Sequence, residues 1–286
     1  MHDNPWLERR VIAFAHQGGA KEAPSSTLYA IRRALEHGAT GIELDVHATR
    51  DRHLVVCHDP TLDRTTDATG EIADAALEDL RQLDNAYWFC PGSDAVRGRP
   101  AEEYVLRGKA PHDRDLGVAT LAEVLEAFPG VVLNLDIKRT APAVLGYEEL
   151  LARELQEHER SDDVIVASFS DSATAAFASW APGIGLAAGT AATTEFYRRL
   201  RAGLPPPDDI GRYVALQPPA RWGQIEVVDE SFVETAHAYG LAVHVWTVDD
   251  TSEMDELVGL GVDGIISDKP SVLAAELDRL QVNWRL

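Results

Sequence analysis

Apolar, β-like runs and amphipathic, helix-like runs alternate along this 286-residue chain almost from end to end. Candidate strands cover residues 11–16, 41–46, 131–137, 164–169, 184–188, 213–217, 242–248 and 264–267. Helical patterns over 28–37, 120–128, 147–160 and 231–239 separate most of them, and 77–83 has helical spacing too. Eight such β–α units in one chain of this length imply an α/β TIM (β/α)8 barrel, with its active site at the C-terminal ends of the strands. The length suits one large domain over 1–286 better than two small ones. A doubly wound open sheet is the rival, but no Gly-x-Gly-x-x-Gly turn opens a first helix. Residues 85–118 lose all periodicity and carry Trp88, Pro91, Gly92, Pro100 and Pro111. This stretch is expected to be a small insertion, either functional or a subdomain.

The barrel reading makes a test within the sequence: polar residues should collect where strands end. The first strand runs into His16. In Gly41-Ile42-Glu43-Leu44-Asp45-Val46, alternation points Glu43 and Asp45 to one side and the apolar residues to the other. A polar stretch over 49–53 and a second apolar run over 54–57 follow, ending at His58. A hairpin there would return His58 to the Glu43/Asp45 pair, although no glycine marks its turn. The third strand ends Asn134-Leu135-Asp136-Ile137-Lys138, placing Asp136 and Lys138 on one face. Glu43, Asp45 and Asp136 form a hard-oxygen set suited to Mg²⁺ or Ca²⁺, and Lys138 suits a phosphate oxygen. Gln217 and Trp246 end later strands as candidate substrate-binding groups, with Ser168, Ser170, Thr247 and Asp268 at other strand ends. Two imidazoles beside a carboxylate-held divalent cation are suited to cleaving a phosphodiester.

Each residue alone has a duller reading. An isolated carboxylate near a strand end is most often a helix cap or a solvated loop residue. Asp268, before Lys269-Pro270, fits that reading, as do Ser170 and Thr247. His37, His53, His112, His158 and His237 are read as ordinary polar histidines, and His47 as a further group able to line the cavity. The formal net charge of −21, from 26 basic and 47 acidic side chains, argues against nonspecific attraction to nucleic acid or anionic membrane. An anionic substrate then needs a local positive centre, which a metal supplies. Only Cys57 and Cys90 are present, too few for a disulfide framework. Residues 1–10 lack the apolar core of a signal peptide, and no stretch approaches a transmembrane helix. The expectation is a cytoplasmic protein without integral membrane association, its oligomeric state open.

In order, the motifs are His16-Gln17-Gly18, Glu43-Leu44-Asp45, Thr49-Arg50-Asp51, His58-Asp59, Arg64-Thr65-Thr66, Asp136-Ile137-Lys138, Trp246-Thr247-Val248 and Gly261-Val262-Asp263-Gly264-Ile265. This text resembles the glycerophosphodiester phosphodiesterases over nearly the whole chain. The resemblance implies a TIM barrel that hydrolyses glycerophosphodiesters to glycerol 3-phosphate and an alcohol. It implies one divalent cation, Mg²⁺ or Ca²⁺, on Glu43, Asp45 and Asp136, with His16 and His58 as the acid/base pair. One histidine would take the proton of the attacking group, in this family the glycerol 2-hydroxyl, and the other would protonate the leaving alcohol. Which does which stays open. The metal and Lys138 would stabilise charge on the phosphoryl oxygens.

Three positions depart from the family text. Gln17 replaces an arginine, leaving a neutral donor in a substrate-binding place. Ser25-Ser26-Thr27 replaces Glu-Asn-Thr, and Asp136 replaces a glutamate. Three alternatives remain. A lysophospholipase D-like or sphingomyelinase D-like enzyme would need an apolar groove, which Tyr87-Trp88-Phe89 could supply. A non-catalytic barrel binding phosphorylated ligands would usually have lost a histidine or a ligand, and here all remain. A binuclear amidohydrolase would want His-x-His after the first strand.

Overall fold

The computed structural model describes residues 4–8, 11–138 and 144–284, so the expectation that 1–10 lack the apolar core of a signal peptide falls partly outside the described residues. Helix α1 (Pro5–Glu8) precedes strand β1 (Ile12–His16), helix α2 (Leu28–Glu36) and strand β2 (Gly41–Ala48). Strand β3 (Leu54–Val56), the one-turn helix α3 (Leu77–Leu80) and the short strands β4 (Phe89–Cys90) and β5 (Asp94–Ala95) come next. The chain continues through α4 (Leu121–Ala127), β6 (Val132–Ile137), α5 (Tyr147–Glu157), β7 (Val164–Ala167), α6 (Asp171–Trp180), β8 (Gly185–Ala188) and α7 (Thr190–Arg201). It ends with β9 (Ala215–Leu216), the hairpin β10 (Arg221–Trp222) and β11 (Ile225–Glu226), α8 (Glu230–Ala238), β12 (Ala242–Val245), α9 (Thr251–Leu260), β13 (Gly264–Ser267) and α10 (Pro270–Leu280).

Eight of these strands form one parallel sheet in the order β1-β13-β12-β9-β8-β7-β6-β2, and β1 pairs with β2 to close it into a barrel. All eight expected barrel strands are present. Several are shorter than their apolar runs, β7 against 164–169, β9 against 213–217 and β12 against 242–248, and the helix expected over 77–83 is only the one-turn α3. Apolar periodicity marks burial, whereas ladder length is set by the neighbouring strand, so these boundaries shrink.

Alternation sorts the side chains. Ile42, Leu44 and Val46 of β2 join Ala13 and Ala15 in the layer between barrel and helices, where Ile31, Leu151 and Phe177 also pack. Ile12, Phe14, Val132, Ile165 and Ala215 fill the barrel interior, floored by Trp6 of α1. Gly41 is required there, because a Cβ on it would stand 2.6 Å from Phe14 Cδ1. Helix starts follow side-chain chemistry: Thr27 accepts from Ala30 N–H, and Thr120 and Glu123 form a reciprocal capping box. Tyr147 of α5 donates to Val46 O at 2.9 Å, fastening the upper end of β2 to the helix layer.

Strand β3 pairs antiparallel with β2, so the expected hairpin exists. Its turn works without glycine because Arg52 itself takes a left-handed conformation, φ 68°. Thr49 supports that turn, its Oγ1 accepting from His53 N–H at 2.9 Å. The insertion expected over 85–118 begins earlier, since the chain beyond His58 packs Leu62, Ile72, Leu77, Leu80 and Val118 into a small core with Val55 and Cys57.

Candidate active site

Strand register brings the acidic groups together. His16 pairs with Glu43 across β1–β2, and Asp45 with Asp136 across β2–β6. Glu43, Asp45 and Asp136 therefore lie at neighbouring positions at the C-terminal mouth, all buried. Burial, then the charge of Asp45, pushes Glu43 up to about 8; burial pushes Asp136 up to about 6. Lys138 offsets part of this charge, its Nζ 2.6 Å from Asp45 Oδ1 and 2.9 Å from Asp136 Oδ2. Burial opposes the ammonium, but Asp45, Asp136 and Glu43 hold its pKa above the ordinary lysine value.

The two histidines face each other across the mouth with ring centroids 6.0 Å apart, nearly perpendicular. Each is gripped at Nδ1 by a carboxylate, His16 by Asp268 Oδ1 at 2.6 Å and His58 by Asp59 Oδ1 at 2.7 Å. A carboxylate only accepts, so each Nδ1 carries the proton and each Nε2 is left for exchange. Burial by itself lowers the His16 pKa. The Asp268 hydrogen bond and the charges of Glu43, Asp268 and Asp45 outweigh it, raising His16 to about 9.

Asp268 corrects the expectation of an ordinary cap. It follows β13, and β13 is the neighbour of β1 in the closed barrel, so its carboxylate falls behind His16. Burial raises its pKa, but the His16 hydrogen bond, the His16 charge and Lys21 hold it below the usual carboxylate value. Lys21 Nζ lies 3.4 Å from Asp268 Oδ2 and 2.5 Å from Asp249 Oδ2, while Asp249 Oδ1 accepts from Asp268 N–H.

Gln17 is 3% exposed and lies behind His16 rather than on the cavity wall. Its Oε1 accepts from Arg64 Nη2 at 3.1 Å, and its amide nitrogen faces His16 Nε2 at 3.2 Å. Arg64 has only donors, so this amide turns its N–H toward His16 Nε2, which offers it a lone pair only when the ring is neutral. Arg64 also donates to Asp59 Oδ2 and Asp94 Oδ2, and so links both imidazole dyads. The sequence reading gave no role to Arg64, Asp59 or Asp94. The short spacing His58-Asp59-x₄-Arg64 was its visible trace.

Lys138, Gln217 and Trp246 line the cavity with His16, His58 and the three carboxylates. Gln217 is also braced from below by Asn134 and by His244 Nδ1, and Trp246 Nε1 donates to Gln217 O at 2.6 Å. His47 is buried and bonds the His58 carbonyl at 3.4 Å instead of lining the cavity. Tyr87 and Trp88 stack with each other and hold Arg107 within the insertion, and Phe89 is buried. None of these three lines the cavity, so the groove expected from them is absent.

The carboxylates suit a hard divalent cation by donor chemistry. Asp45 Oδ2 and Asp136 Oδ1 are buried without a hydrogen-bond donor, and Asp45 Oδ1 meets the Lys138 ammonium. As the side chains stand, no three histidine, cysteine or acidic groups among the described residues form a ready-made metal cage. The Lys138 ammonium takes the place between Asp45 and Asp136.

A barrel with these groups at the C-terminal ends of its strands is, as a class, a (β/α)8-barrel hydrolase. The chain belongs to the glycerophosphoryl diester phosphodiesterase family, whose sequence model it matches over residues 16–272. It is 31% identical over 268 residues to a glycerophosphodiester phosphodiesterase of Caldanaerobacter subterraneus, covering 92% of this chain and 96% of that one. A Bacillus subtilis glycerophosphodiester phosphodiesterase is 29% identical over 279 residues, covering 92% and 85%. Among solved structures, the glycerophosphoryl diester phosphodiesterase domain of a Mycobacterium tuberculosis protein superposes with TM-score 0.77 at 21% identity, covering 94% and 99%. An Oleispira antarctica phosphodiesterase, solved with the product sn-glycerol-3-phosphate, superposes with TM-score 0.66 at 24% identity, covering 93% and 96%. Among the described residues no helix is long and apolar enough to cross a membrane.

Proposed function

We propose that this chain, read as one domain over 1–286, hydrolyses glycerophosphodiesters to glycerol 3-phosphate and an alcohol by paired histidine catalysis. The observation that carries this is the pair of carboxylate-gripped imidazoles, 6.0 Å apart over the buried acidic cluster. The curated relatives' activity and the product held by the Oleispira protein support the substrate class.

In the proposed reaction, the glycerol 2-hydroxyl attacks phosphorus as the bond to the alcohol oxygen breaks, giving a cyclic 2,3-phosphate. One imidazole Nε2 takes the 2-hydroxyl proton and the other gives its proton to the departing alkoxide. Water then opens the ring with the two roles exchanged, returning both histidines to their starting states. Asp268 and Asp59 stabilise whichever imidazole is charged. Lys138 holds a non-bridging phosphoryl oxygen as a point charge. Glu43, Asp45 and Asp136 would hold one Mg²⁺ or Ca²⁺, which when bound supplies positive charge against the phosphoryl oxygens. Gln17 acts through His16, presenting an N–H to its Nε2, and Gln217 and Trp246 shape the wall beside the phosphate.

The test is release of glycerol 3-phosphate from glycerophosphocholine and glycerophosphoethanolamine with Mg²⁺, with Ca²⁺ and with EDTA. Metal-dependent release that disappears in His16→Ala and His58→Ala is expected. Equal release in EDTA would remove the cation, and full activity in the histidine variants would remove the acid/base pair.

A further inference from the structure

His244 takes no part in the reaction above. It lies fully buried in the barrel interior on β12, tilted against Phe14 with ring centroids 5.3 Å apart and edge-on to Trp6 at 6.5 Å. Gly264 on the neighbouring strand β13 makes room for the ring, since a Cβ there would stand 2.8 Å from His244 Cδ2. Burial, against the weaker pull of Asp263, lowers its pKa to about 4, so the ring is neutral near pH 7. Its Nδ1 meets Gln217 Nε2 at 3.2 Å, and its Nε2 is buried with no hydrogen-bond partner among the described residues. An imidazole nitrogen left unpaired among apolar groups costs stability, and a leucine in that place would not.

The hydrogen bonds around Gln217 show what the imidazole does. Asn134 of β6 and Gln217 beyond β9 face each other across the barrel lumen, with β7 and β8 between their strands. Their amides exchange two bonds of 3.3 Å, Gln217 Nε2 donating to Asn134 Oδ1 and Asn134 Nδ2 donating to Gln217 Oε1. That exchange is the same when both amides are reversed, so Asn134 alone does not decide which end of Gln217 faces the cavity. His244 decides it. Its Nδ1 lone pair takes the second Gln217 N–H, which uses both amide hydrogens and puts the ring's proton on Nε2. What Gln217 has left for the cavity it lines is a lone pair of Oε1, an acceptor.

We propose that His244 is a positioning residue that holds the Gln217 carbonyl oxygen toward the cavity as the acceptor for the substrate's glycerol 1-hydroxyl. This rests on the phosphodiesterase reading above and deepens it. Elimination names the hydroxyl. An ionised phosphodiester and a choline headgroup have no hydrogen to donate, which leaves the two glycerol hydroxyls. The 2-hydroxyl gives its proton to a histidine in the proposed reaction, so the 1-hydroxyl remains. A substrate whose 1-oxygen is methylated or acylated offers no donor, and its lone pairs oppose that of Gln217.

The experiment measures choline release from glycerophosphocholine and from its 1-deoxy analogue, 2-hydroxypropyl phosphocholine, which keeps the attacking hydroxyl. The expected kcat/KM is about 10-fold to 100-fold higher for glycerophosphocholine, the effect of one lost hydrogen bond with its acceptor left unpaired. His244→Leu, which frees the amide pair to reverse, should bring that ratio below about threefold. Gln217→Leu should do the same, with no further fall in the double variant. His244→Asn can place an acceptor where Nδ1 stands and should keep most of the ratio, although it packs no better than leucine. Damage to the fold would lower both substrates alike and leave the ratio unchanged. NMR of the His244 ring nitrogens in the unaltered protein should show Nδ1 bare and Nε2 protonated, a readout that stands even where a variant fails to fold. Equal turnover of the two substrates by wild type overturns the hydroxyl contact and leaves the phosphodiesterase standing. A wild-type ratio retained in folded His244→Leu, or a proton found on Nδ1, overturns the part given to His244. No turnover of either substrate overturns the phosphodiesterase reading and this proposal with it.

Discussion

Replacing Asp268 by asparagine keeps the shape of the His16 partner and removes its charge. The two groups are 2.6 Å apart, Nδ1 to Oδ1, and the Asp268 side chain is 15% exposed. Unit charges centred about 4 Å apart interact by about 4 kcal/mol at an effective dielectric of 20. Lys21, 3.4 Å from the other Asp268 oxygen, already offsets part of this. A loss of roughly 2–4 kcal/mol in stabilising the His16 imidazolium therefore corresponds to about 30-fold to 10³-fold in rate. A second effect adds to it. Lys21 would hold the new amide's oxygen, turning the amide N–H₂ toward His16 Nδ1. The neutral ring would then carry its proton on Nε2, against the Gln17 N–H that faces it there. The assay is kcat/KM for glycerophosphocholine from pH 5 to 10, with thermal melting on the same samples. A fall of about 10² or more is expected, with melting changed far less than activity. A folded Asp268→Asn enzyme within threefold of wild type at every pH would refute the role given to this carboxylate.

Asparagine at position 59 should act similarly on His58, at about 10-fold to 10³-fold in the same assay, since that dyad is built the same way. Gln17→Arg, the change toward the family residue, should lower stability by about 1–3 kcal/mol in urea unfolding. It sets a guanidinium in a buried site facing Arg64, and adding Arg64→Gln should recover part of the loss. His244 is fully buried, and burial, against the weaker pull of Asp263, lowers its pKa from 6.5 to about 4. Its neutral form stabilises the fold above pH 6.5, and that contribution is lost as pH falls to about 4, about 3 kcal/mol in all. Wild type should therefore lose roughly 2 kcal/mol more than His244→Gln between pH 7.5 and 4.5, and equal losses would contradict it. Gly41→Ala should cost about 1–3 kcal/mol by calorimetry, because its Cβ would overlap Phe14 and Ile12; an unchanged melting temperature would mean the barrel floor yields.

The barrel strands and the facing of Glu43, Asp45, Asp136 and Lys138 were legible because strand alternation is local and these residues follow it. Asp268 was not, although a closed eight-strand barrel makes β13 the neighbour of β1. That adjacency spans 252 residues, and the residue's own surroundings, just before Lys269-Pro270, look like any helix entry. The hairpin turn over 49–53 was legible only as a polar stretch, since a left-handed arginine leaves no compositional mark. The β10–β11 hairpin beside the cavity stayed hidden for the opposite reason. Strands of two residues, Arg221–Trp222 and Ile225–Glu226, are too short for any periodicity to show. Gln17 was visible as a departure from family text, but the partner that gives it meaning, Arg64, lies 47 residues on.

The two imidazoles belong to different parts of the molecule. His16 is fixed in the barrel wall, while His58, Asp59, Arg64 and Asp94 arrive on a lobe with its own small core. That lobe is latched to the barrel by a handful of polar bonds, among them Arg64 to Gln17, Asn85 to the Ser25 and Ser26 carbonyls, and Gly92 N–H to Lys21 O. His58 itself follows β3, which pairs with β2 and packs Leu54 and Val56 in the main core, so the lobe rests on the barrel through strand and core as well as through that latch. The Gln17–Arg64 contact is thus where the supports of the two imidazoles are joined.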